Sequence, residues 1–333
     1  MKAVITGATG LLGANLAAAL CAAGHRPVCT RRGPSRTAAL ADLDVLWVEA
    51  DLAGEAALTR AFTDADVVFH CAAAVTVRRR PSPAVTAANV DGTRRVLAAC
   101  RAARVGRLVH TSSTVCVGLA HGPADADEAS LWDLPENGLA DAYSTTKREA
   151  EALVLAAEDL DVVVVNPGFM LGPRDQRPSS GALLLELRRG AIPALTAGTN
   201  SFVDVRDVAQ GMLAAAARGV RGERYILGGH NLAYAEALPQ FAAWMGCRPP
   251  RLRAPAWLGA PLGWLGDLQE RFIEGEPFIN SAVVRYGGCA DFRFSSAKAA
   301  AALGYTIGPL EPAVRDALSW WAAQGMLDGP PRR

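Results

Sequence analysis

The first 23 residues constrain the fold more tightly than any later stretch. A short apolar run, Ala3 to Thr6, passes at once into Gly7-Ala8-Thr9-Gly10-Leu11-Leu12-Gly13 and then into alanine- and leucine-rich sequence reaching Ala23. A strand that turns directly into a helix needs residues without a Cβ, and three glycines divide that work. Gly7 allows the tight turn, Gly10 a close approach of backbone to a ligand, and Gly13 the packing of helix on sheet. The helix start leaves N–H donors unpaired, which suits a pyrophosphate. Gly7, Thr9, Gly10, Leu11, Leu12 and Gly13 are therefore expected to hold a dinucleotide.

The same strand-then-helix rhythm repeats. Pro27 to Thr30 precedes Arg36 to Ala41, Val45 to Glu49 precedes Glu55 to Phe62, and Asp66 to His70 precedes a helix over about Ala84 to Ala103. Strands at Arg107 to Thr111 and Asp161 to Asn166 enclose a helix carrying Tyr143. This alternation predicts an α/β chain with a parallel sheet, and the valine run 162–165 suits burial on both faces. After Pro167 the pattern loosens. A loop rich in Gly, Pro, Ser and Arg (168–181) leads to strand candidates at 202–205 and 224–227 and helix candidates at 208–218, 234–245, 297–303 and about 311–323. We expect a cofactor domain over 1–167 and a mainly substrate-binding region over 168–330, with about 202–228 returning to the core. The tail 330–333 is expected to fray.

Charge and cysteine usage narrow the partners. Thirty-four basic and 33 acidic side chains leave a net charge of +1, which offers no global case for nucleic acid or an anionic membrane. The seven cysteines are scattered, with no Cys-x-x-Cys pair, so neither a disulfide framework nor a metal site is expected. The first strand starts near Lys2 without a leader-like stretch, and no apolar run nears the ~20 residues of a membrane span. A cytoplasmic protein with a small-molecule partner is the expectation.

Two further clusters carry chemistry. An acidic residue at the end of the second strand would hold an unphosphorylated ribose, but this chain has Thr30-Arg31-Arg32 there. Guanidinium forks at Arg31 and Arg32, with Arg36 near, suit a 2'-phosphate, so NADP(H) is expected in preference to NAD(H). Asp42 and Asp44 fall too late to replace the missing acid. In Tyr143-Ser144-Thr145-Thr146-Lys147 the phenol and the ammonium share a helix face at i and i+4. The ammonium is expected to lower the phenol's pKa and prepare it for proton transfer to a carbonyl or alcohol.

Taken together, Thr6-Gly7-x-x-Gly10-x-x-Gly13 and Tyr143-x-x-x-Lys147 resemble the extended short-chain dehydrogenase/reductase family, also called the NAD(P)-dependent epimerase/dehydratase family. Further stretches look like its motifs: 49–52, 70–74, Asn89-Val90-Asp91-Gly92-Thr93, Thr111-Ser112-Ser113 and Asn166-Pro167-Gly168. The resemblance implies a Rossmann-type doubly wound parallel sheet with a smaller C-terminal substrate-binding region. It implies that Asp51 and Leu52 contact adenine and that Cys71, Ala72 and Ala73 line the cofactor by backbone. Asn89, Thr111, Pro167, Gly168 and Met170 would complete that lining. Ser113, with Ser112 as its rival, would hydrogen-bond the substrate oxygen, Tyr143 would move the proton, and Lys147 would hold the nicotinamide ribose. A monomer, or a homodimer through the helices carrying Tyr143 and residues 84–103, would be usual.

Residues 225–232, 294–299 and 303–305 resemble the dihydroflavonol reductase, 3β-hydroxysteroid dehydrogenase-like and hopanoid-associated branch, which handles apolar ring ketones and alcohols. The stretch 257–265, with Trp244, Phe272 and Phe278, either lines a cleft for such a substrate or packs as core. Shallow membrane contact is a third option, weakened by a short, glycine-broken stretch. The expected activity interconverts a ketone and a secondary alcohol. The alternatives are a nucleotide-sugar epimerase or dehydratase with tightly bound NAD, and a non-catalytic NADP(H) sensor. His70, His110, His121 and His230 are dispersed without metal-ligand spacing, 78–80 reads as a solvated loop, and Asp204 and Asp207 as the start of a helix.

Overall fold

A computed structural model describes residues 1–33, 35–79, 81–254, 256–269, 272 and 280–327, without the side chains of 256–258 and 260. The expectations for Trp257, Phe278, Arg80 and the tail lie outside the described residues. In chain order the first half runs β1 (Ala3–Thr6), α1 (Leu11–Ala22), β2 (Val28–Arg31), β3 (Leu46–Glu49), α2 (Glu55–Phe62), β4 (Val67–His70), α3 (Pro83–Thr86), α4 (Gly92–Ala103), β5 (Arg107–Thr111), α5 (Ala142–Leu155) and β6 (Val162–Pro167). The second half runs β7 (Phe169–Leu171), α6 (Ala182–Arg189), β8 (Ala194–Leu195), β9 (Thr199–Asp204), α7 (Val205–Arg218), β10 (Arg224–Leu227), β11 (His230–Ala233), α8 (Tyr234–Met245), β12 (Leu252–Arg253), α9 (Ala256–Gln269), α10 (Ser281–Gly288), α11 (Ala297–Leu303) and α12 (Leu310–Ala323).

Seven parallel strands form one sheet in the order β10-β6-β5-β4-β1-β2-β3. The order reverses between β1 and β4, so the crevice beyond their carboxyl ends lies at the switch point of a doubly wound, Rossmann-like sheet. Alternation along each strand sends successive side chains to opposite layers. Ile5, Val163 and Val165 join the cluster with Leu16, Leu20, Val208 and Met212, while Val4, Val162 and Val164 join the one with Leu58, Phe62, Val96 and Val154. Both faces are dry, so the valine run needs no polar side. Each buried Val or Leu contributes about 1.5–3 kcal/mol relative to exposure.

The helix expected over Arg36 to Ala41 is only a 3-10 turn at Ala38–Leu40. Tertiary contacts hold that segment: Arg174 reaches across to the Ala39 carbonyl at 2.6 Å and the Asp42 carboxylate at 2.6 and 2.7 Å. The long helix expected over 84–103 is interrupted by a π turn at Ala87–Asp91. Asp204 caps α7 by accepting the Arg206 N–H at 2.8 Å, as its place before a helix suggested, and Asp207 lies in the first turn.

Beyond Pro167, β10 pairs with β6 and α7 packs into the cluster with α1, so this stretch extends the sheet layer. A separate cluster of Phe202, Phe241, Val314 and Trp321 gathers α6, α8 and α12 around a three-stranded sheet, β11-β9-β7. Half-buried Trp244 packs against this cluster, its ring 5.6 Å from that of Phe241.

Candidate active site

At the β1–α1 turn the glycines are fixed by contact. Gly7 has φ +73°, and a Cβ there would stand 2.5 Å from the Ala72 nitrogen. A Cβ on Gly13 would run into the Gly7 carbonyl and lie 2.8 Å from Ala8 Cα. Gly10 is different: its Cβ would meet only the Gly7 oxygen, at 3.4 Å, and the residue is exposed. Space is therefore left open at the glycine expected to lie nearest a pyrophosphate. The N-terminus of α1 has no side-chain cap and no acid in its first turn, so the N–H groups of Leu11, Leu12 and Gly13 remain available. Gln176 was missed by sequence reasoning, since it arrives from a distant loop; its Nε2 donates to Thr9 O at 2.6 Å and Arg36 O at 2.9 Å. Its Oε1 is buried without a partner. Open backbone donors and an orphaned acceptor fit a dinucleotide.

At the end of β2, Arg31 stacks over the Trp47 ring with its guanidinium carbon 5.5 Å from the centroid. Among the described residues Arg31, Arg32 and Arg36 have no acidic partner, while nearby Asp42 and Asp44 are engaged by Arg174 and Arg26. Glu49 does approach this turn: a Cβ on Gly33 would lie 3.1 Å from its Oε1. Asp51 is exposed and accepts the Ala53 N–H at 3.1 Å, and Leu52 packs on Gly92.

The four strand ends at the switch point bring the remaining residues together. Cys71, Ala72 and Ala73 follow β4, with the Cys71 N–H on Thr6 O. Asn89, expected to line the cofactor, is 2% exposed and spends its amide on protein. It accepts from Ala74 N at 2.7 Å, donates to Ala74 O at 2.9 Å, and donates to Thr146 Oγ1 at 3.0 Å. That clamp fixes the loop after β4 to α5, so Asn89 is a positioning residue. A π turn at such a place is a recurrent mark of functional sites. Pro167 is buried at the end of β6, and Gly168 and half-buried Met170 follow, Met170 in register with Val203.

Helix α5 starts with a reciprocal capping box: Asp141 accepts the Ser144 N–H at 2.7 Å, and Ser144 Oγ accepts the Asp141 N–H at 2.9 Å. Tyr143 sits inside this fixed first turn, and the Ser113 side chain lies near enough to its phenol to draw the phenol's pKa down. Ser113 is half-buried and caps the 3-10 turn 114–116 from an extended backbone. Ser112 is buried, its Oγ without a hydrogen-bond partner among the described residues, and of the two serines it is half-buried Ser113 that draws on the phenol.

The lysine behaves otherwise than expected. Lys147 is 3% exposed and donates from Nζ to Thr111 O at 2.6 Å. Burial pushes the Tyr143 phenol well above its ordinary value, Cys116 and Asp141 push the same way, and only Ser113 opposes. The expected lowering of the phenol by Lys147 is thus overturned: desolvation dominates. Burial in turn lowers Lys147, against the opposing pull of Cys116, Glu151 and Cys71. Thr111 turns its hydroxyl toward the sulfurs of Cys71 and Met212 and offers its carbonyl to the lysine.

Behind Ser113 lies a network that sequence reading did not single out. Asn166 Nδ2 donates to Ser113 O at 3.0 Å and to Glu151 Oε2 at 2.6 Å. The Glu151 carboxylate is fully buried and pairs with Arg224 at 3.0 Å and Arg148 at 3.1 Å. Glu151 follows Lys147 by four residues, so i, i+4, i+8 spacing from Tyr143 would have placed it on the same face. Tyr286 of α10 is also close to this turn, its hydroxyl buried without a hydrogen-bond partner among the described residues, and burial pushes that phenol well above its ordinary value, with Asp141 and Tyr143 acting the same way. No local sequence signal ties it there.

The histidines are structural. His70 bridges Thr6 and Thr93 at 2.7 and 3.2 Å, burial lowers it to about 3, and its ring lies 5.2 Å from that of His110. His121 pairs with Asp133, and His230 contacts Gly308 O. Among the described residues no group of three or more His, Cys, Asp or Glu is placed to hold a metal. Segment 78–79 is tied down rather than free in solvent, with Arg79 on Asp267 at 3.0 Å and Arg78 O accepting the Ala142 N–H.

Comparison with known proteins agrees with this geometry. The model of the "NAD dependent epimerase/dehydratase family" matches residues 3–228. "Sterol demethylase protein B" of Methylococcus capsulatus is 33% identical over 98% of this chain and 100% of its own length. A "4-hydroxy-2-methyl-3-oxo-4-farnesyl-3,4-dihydroquinoline-1-oxide ketoreductase" of Stigmatella aurantiaca is 34% identical over 68% of each chain. Among solved structures, a nucleoside-diphosphate-sugar epimerase from Pseudomonas aeruginosa superposes with TM-score 0.81 at 28% identity, covering 98% of this chain and 99% of that one. A glycine turn at the switch point of a parallel sheet, a serine at the end of β5 and a Tyr-x-x-x-Lys helix beside it accordingly place this chain in the NAD dependent epimerase/dehydratase family, the extended short-chain dehydrogenase/reductases.

Proposed function

We propose that the protein interconverts a ketone and a secondary alcohol on an apolar, ring-bearing small molecule, using NADP(H) in preference to NAD(H). The observation that carries this reading is the placement of Tyr143 and buried Lys147 one turn apart on α5, with Lys147 Nζ on Thr111 O at the carboxyl end of β5 and Ser113 two residues further on. When bound, the nicotinamide supplies or accepts a hydride at its C4. The chain supplies the proton. Because burial favours the neutral phenol, Tyr143 holds its proton through neutral pH and can deliver it to an oxygen placed against Ser113. Ser113 offers a second donor to the charge developing on that oxygen. Lys147, anchored to Thr111 O, keeps further N–H donors for ribose hydroxyls. Arg31, Arg32 and Arg36, without an acidic partner among the described residues, support a 2'-phosphate site.

Tyr143→Phe tests the reading. Dinucleotide binding, followed by quenching of protein fluorescence, should survive, while turnover of a cyclic ketone falls at least about a hundredfold, the usual range for a general acid. Retained turnover refutes the assignment. A second reading, a nucleotide-sugar epimerase or dehydratase holding NAD throughout its cycle, is favoured by the likeness to the Pseudomonas aeruginosa structure and by Glu49 beside Gly33. Recovery of NAD from the denatured, purified protein would select it.

A further inference from the structure

Helix α9 packs with its small side inward. Gly263 and Gly266 are buried and Gly259 is half-buried. A Cβ on Gly259 would lie 2.7 Å from Val284 Cγ1, and one on Gly263 2.8 Å from Ser281 Cα, so these glycines let α9 close against α10. The large apolar side chains point the other way: Leu262 is 44% exposed, Trp264 64%, Leu265 55%, Leu268 41%, and Phe272 just beyond the helix 82%. At 3.6 residues per turn, Trp264, Leu268, Leu265 and Leu262 fall within one side about 160° wide, with Pro261 and, at the last residue of the helix, Gln269 among them. In the sequence the glycines looked like interruptions that argued against membrane contact. In the structure they are the packing seam, and the outer side is mainly apolar.

Charge indicates what covers it. Just before α9, β12 exposes Leu252 at 68% between exposed Arg251 and Arg253, and Arg248 is exposed nearby in sequence. Among the described residues none of these arginines has an acidic partner. Exposed guanidinium groups a few residues ahead of an apolar helix side carrying Trp264 match an anionic interface. The helix is also joined to the approach to Tyr143. Arg79 pairs with Asp267 at 3.0 Å, Asn280 donates to Val77 O at 2.6 Å, and the Ala142 N–H of α5 donates to Arg78 O at 3.1 Å. Val75 and Val77 on that connecting loop are 56% and 36% exposed.

We propose that the outer side of α9, with Leu252 and its flanking arginines, docks on an anionic lipid surface. No described helix is long and apolar enough to cross a membrane, so the contact is peripheral. An apolar substrate dissolved in the bilayer would then enter the cleft without passing through water. That delivery role rests on the ketone–alcohol reading above, whereas the docking itself does not.

The test sediments the full chain with phosphatidylcholine vesicles and with vesicles containing phosphatidylglycerol, at low and high salt. The native chain should pellet with the anionic vesicles and be released by salt. Trp264→Glu with Leu268→Glu, and separately Arg251→Glu with Arg253→Glu, should each lower partitioning about tenfold or more. Melting temperature and turnover of a water-soluble cyclic ketone should stay unchanged in both. Absence of native binding, or equal binding by the variants, overturns the proposal. A native dimer that Trp264→Glu with Leu268→Glu converts to monomer also overturns it, because a second copy would then cover the helix. If the native chain turns over the soluble ketone but ignores vesicles, only the docking fails. If it binds vesicles but turns over no ketone, the docking stands and the activity reading fails.

Discussion

Glu151 is the residue whose removal most directly tests how the site is held together. Its carboxylate is fully buried and meets Arg224, 14% exposed at its side chain, and Arg148, while Asn166 connects it to the Ser113 carbonyl. Glu151→Ala leaves a largely buried guanidinium without its counter-charge, at a cost of about 3–5 kcal/mol. For 333 residues melting as one unit, an unfolding entropy near ~2.1 cal/mol/K per residue converts that into a drop of about 4–7 °C. The same substitution removes the carboxylate that orients Asn166, so the bond from Asn166 to the Ser113 carbonyl is held less firmly. Turnover should therefore fall mainly in kcat, with KM for the ketone little changed, because the oxygen must be held best in the transition state. Thermal melts and steady-state assays of Glu151→Ala, Arg224→Ala and the double variant would measure it. The double variant should lose less than the sum of the singles, since each single already removes the pair. Melting within about 1 °C of the native chain, or strictly additive losses, would refute the reasoning.

Four further outcomes are expected. Arg31→Ala should weaken NADPH about ten- to a hundredfold by fluorescence titration while leaving NADH within about twofold, and equal losses would remove the 2'-phosphate role. Gly13→Ala should destabilise the fold by about 1–3 kcal/mol through collision with the Gly7 backbone. Gly10→Ala, where the Cβ has room, should keep the melting temperature but weaken dinucleotide binding. Burial holds His110 well below its ordinary value, and both its ring nitrogens lack partners. The unfolded chain then takes up that proton first, near pH ~6.5, so stability present above that pH is lost as pH falls, by up to about 1.4 kcal/mol per unit. In melts between pH 7 and 5, His110→Phe should flatten that loss; an unchanged slope would contradict it.

The sequence by itself determined the sheet, the glycine turn and the Tyr143–Lys147 face, because all three are written in local periods: alternating βα runs, fixed glycine spacing and i, i+4 on one helix. It also marked Arg31 and Arg32 by position after β2. It did not determine the protonation chemistry. Lys147 lies four residues from Tyr143, yet the depth of burial, rather than that spacing, sets the phenol's pKa and sends the ammonium to Thr111 O. Nor could local pattern reveal Glu151–Arg224, Gln176 on Thr9, or Asn89 clamping Ala74, since each joins segments far apart in the chain. Helix α9 makes the same point from the outside. Its composition reads equally well as core, cleft or interface, and only the packing of Gly259 and Gly263 on α10 decides which side is left to face outward.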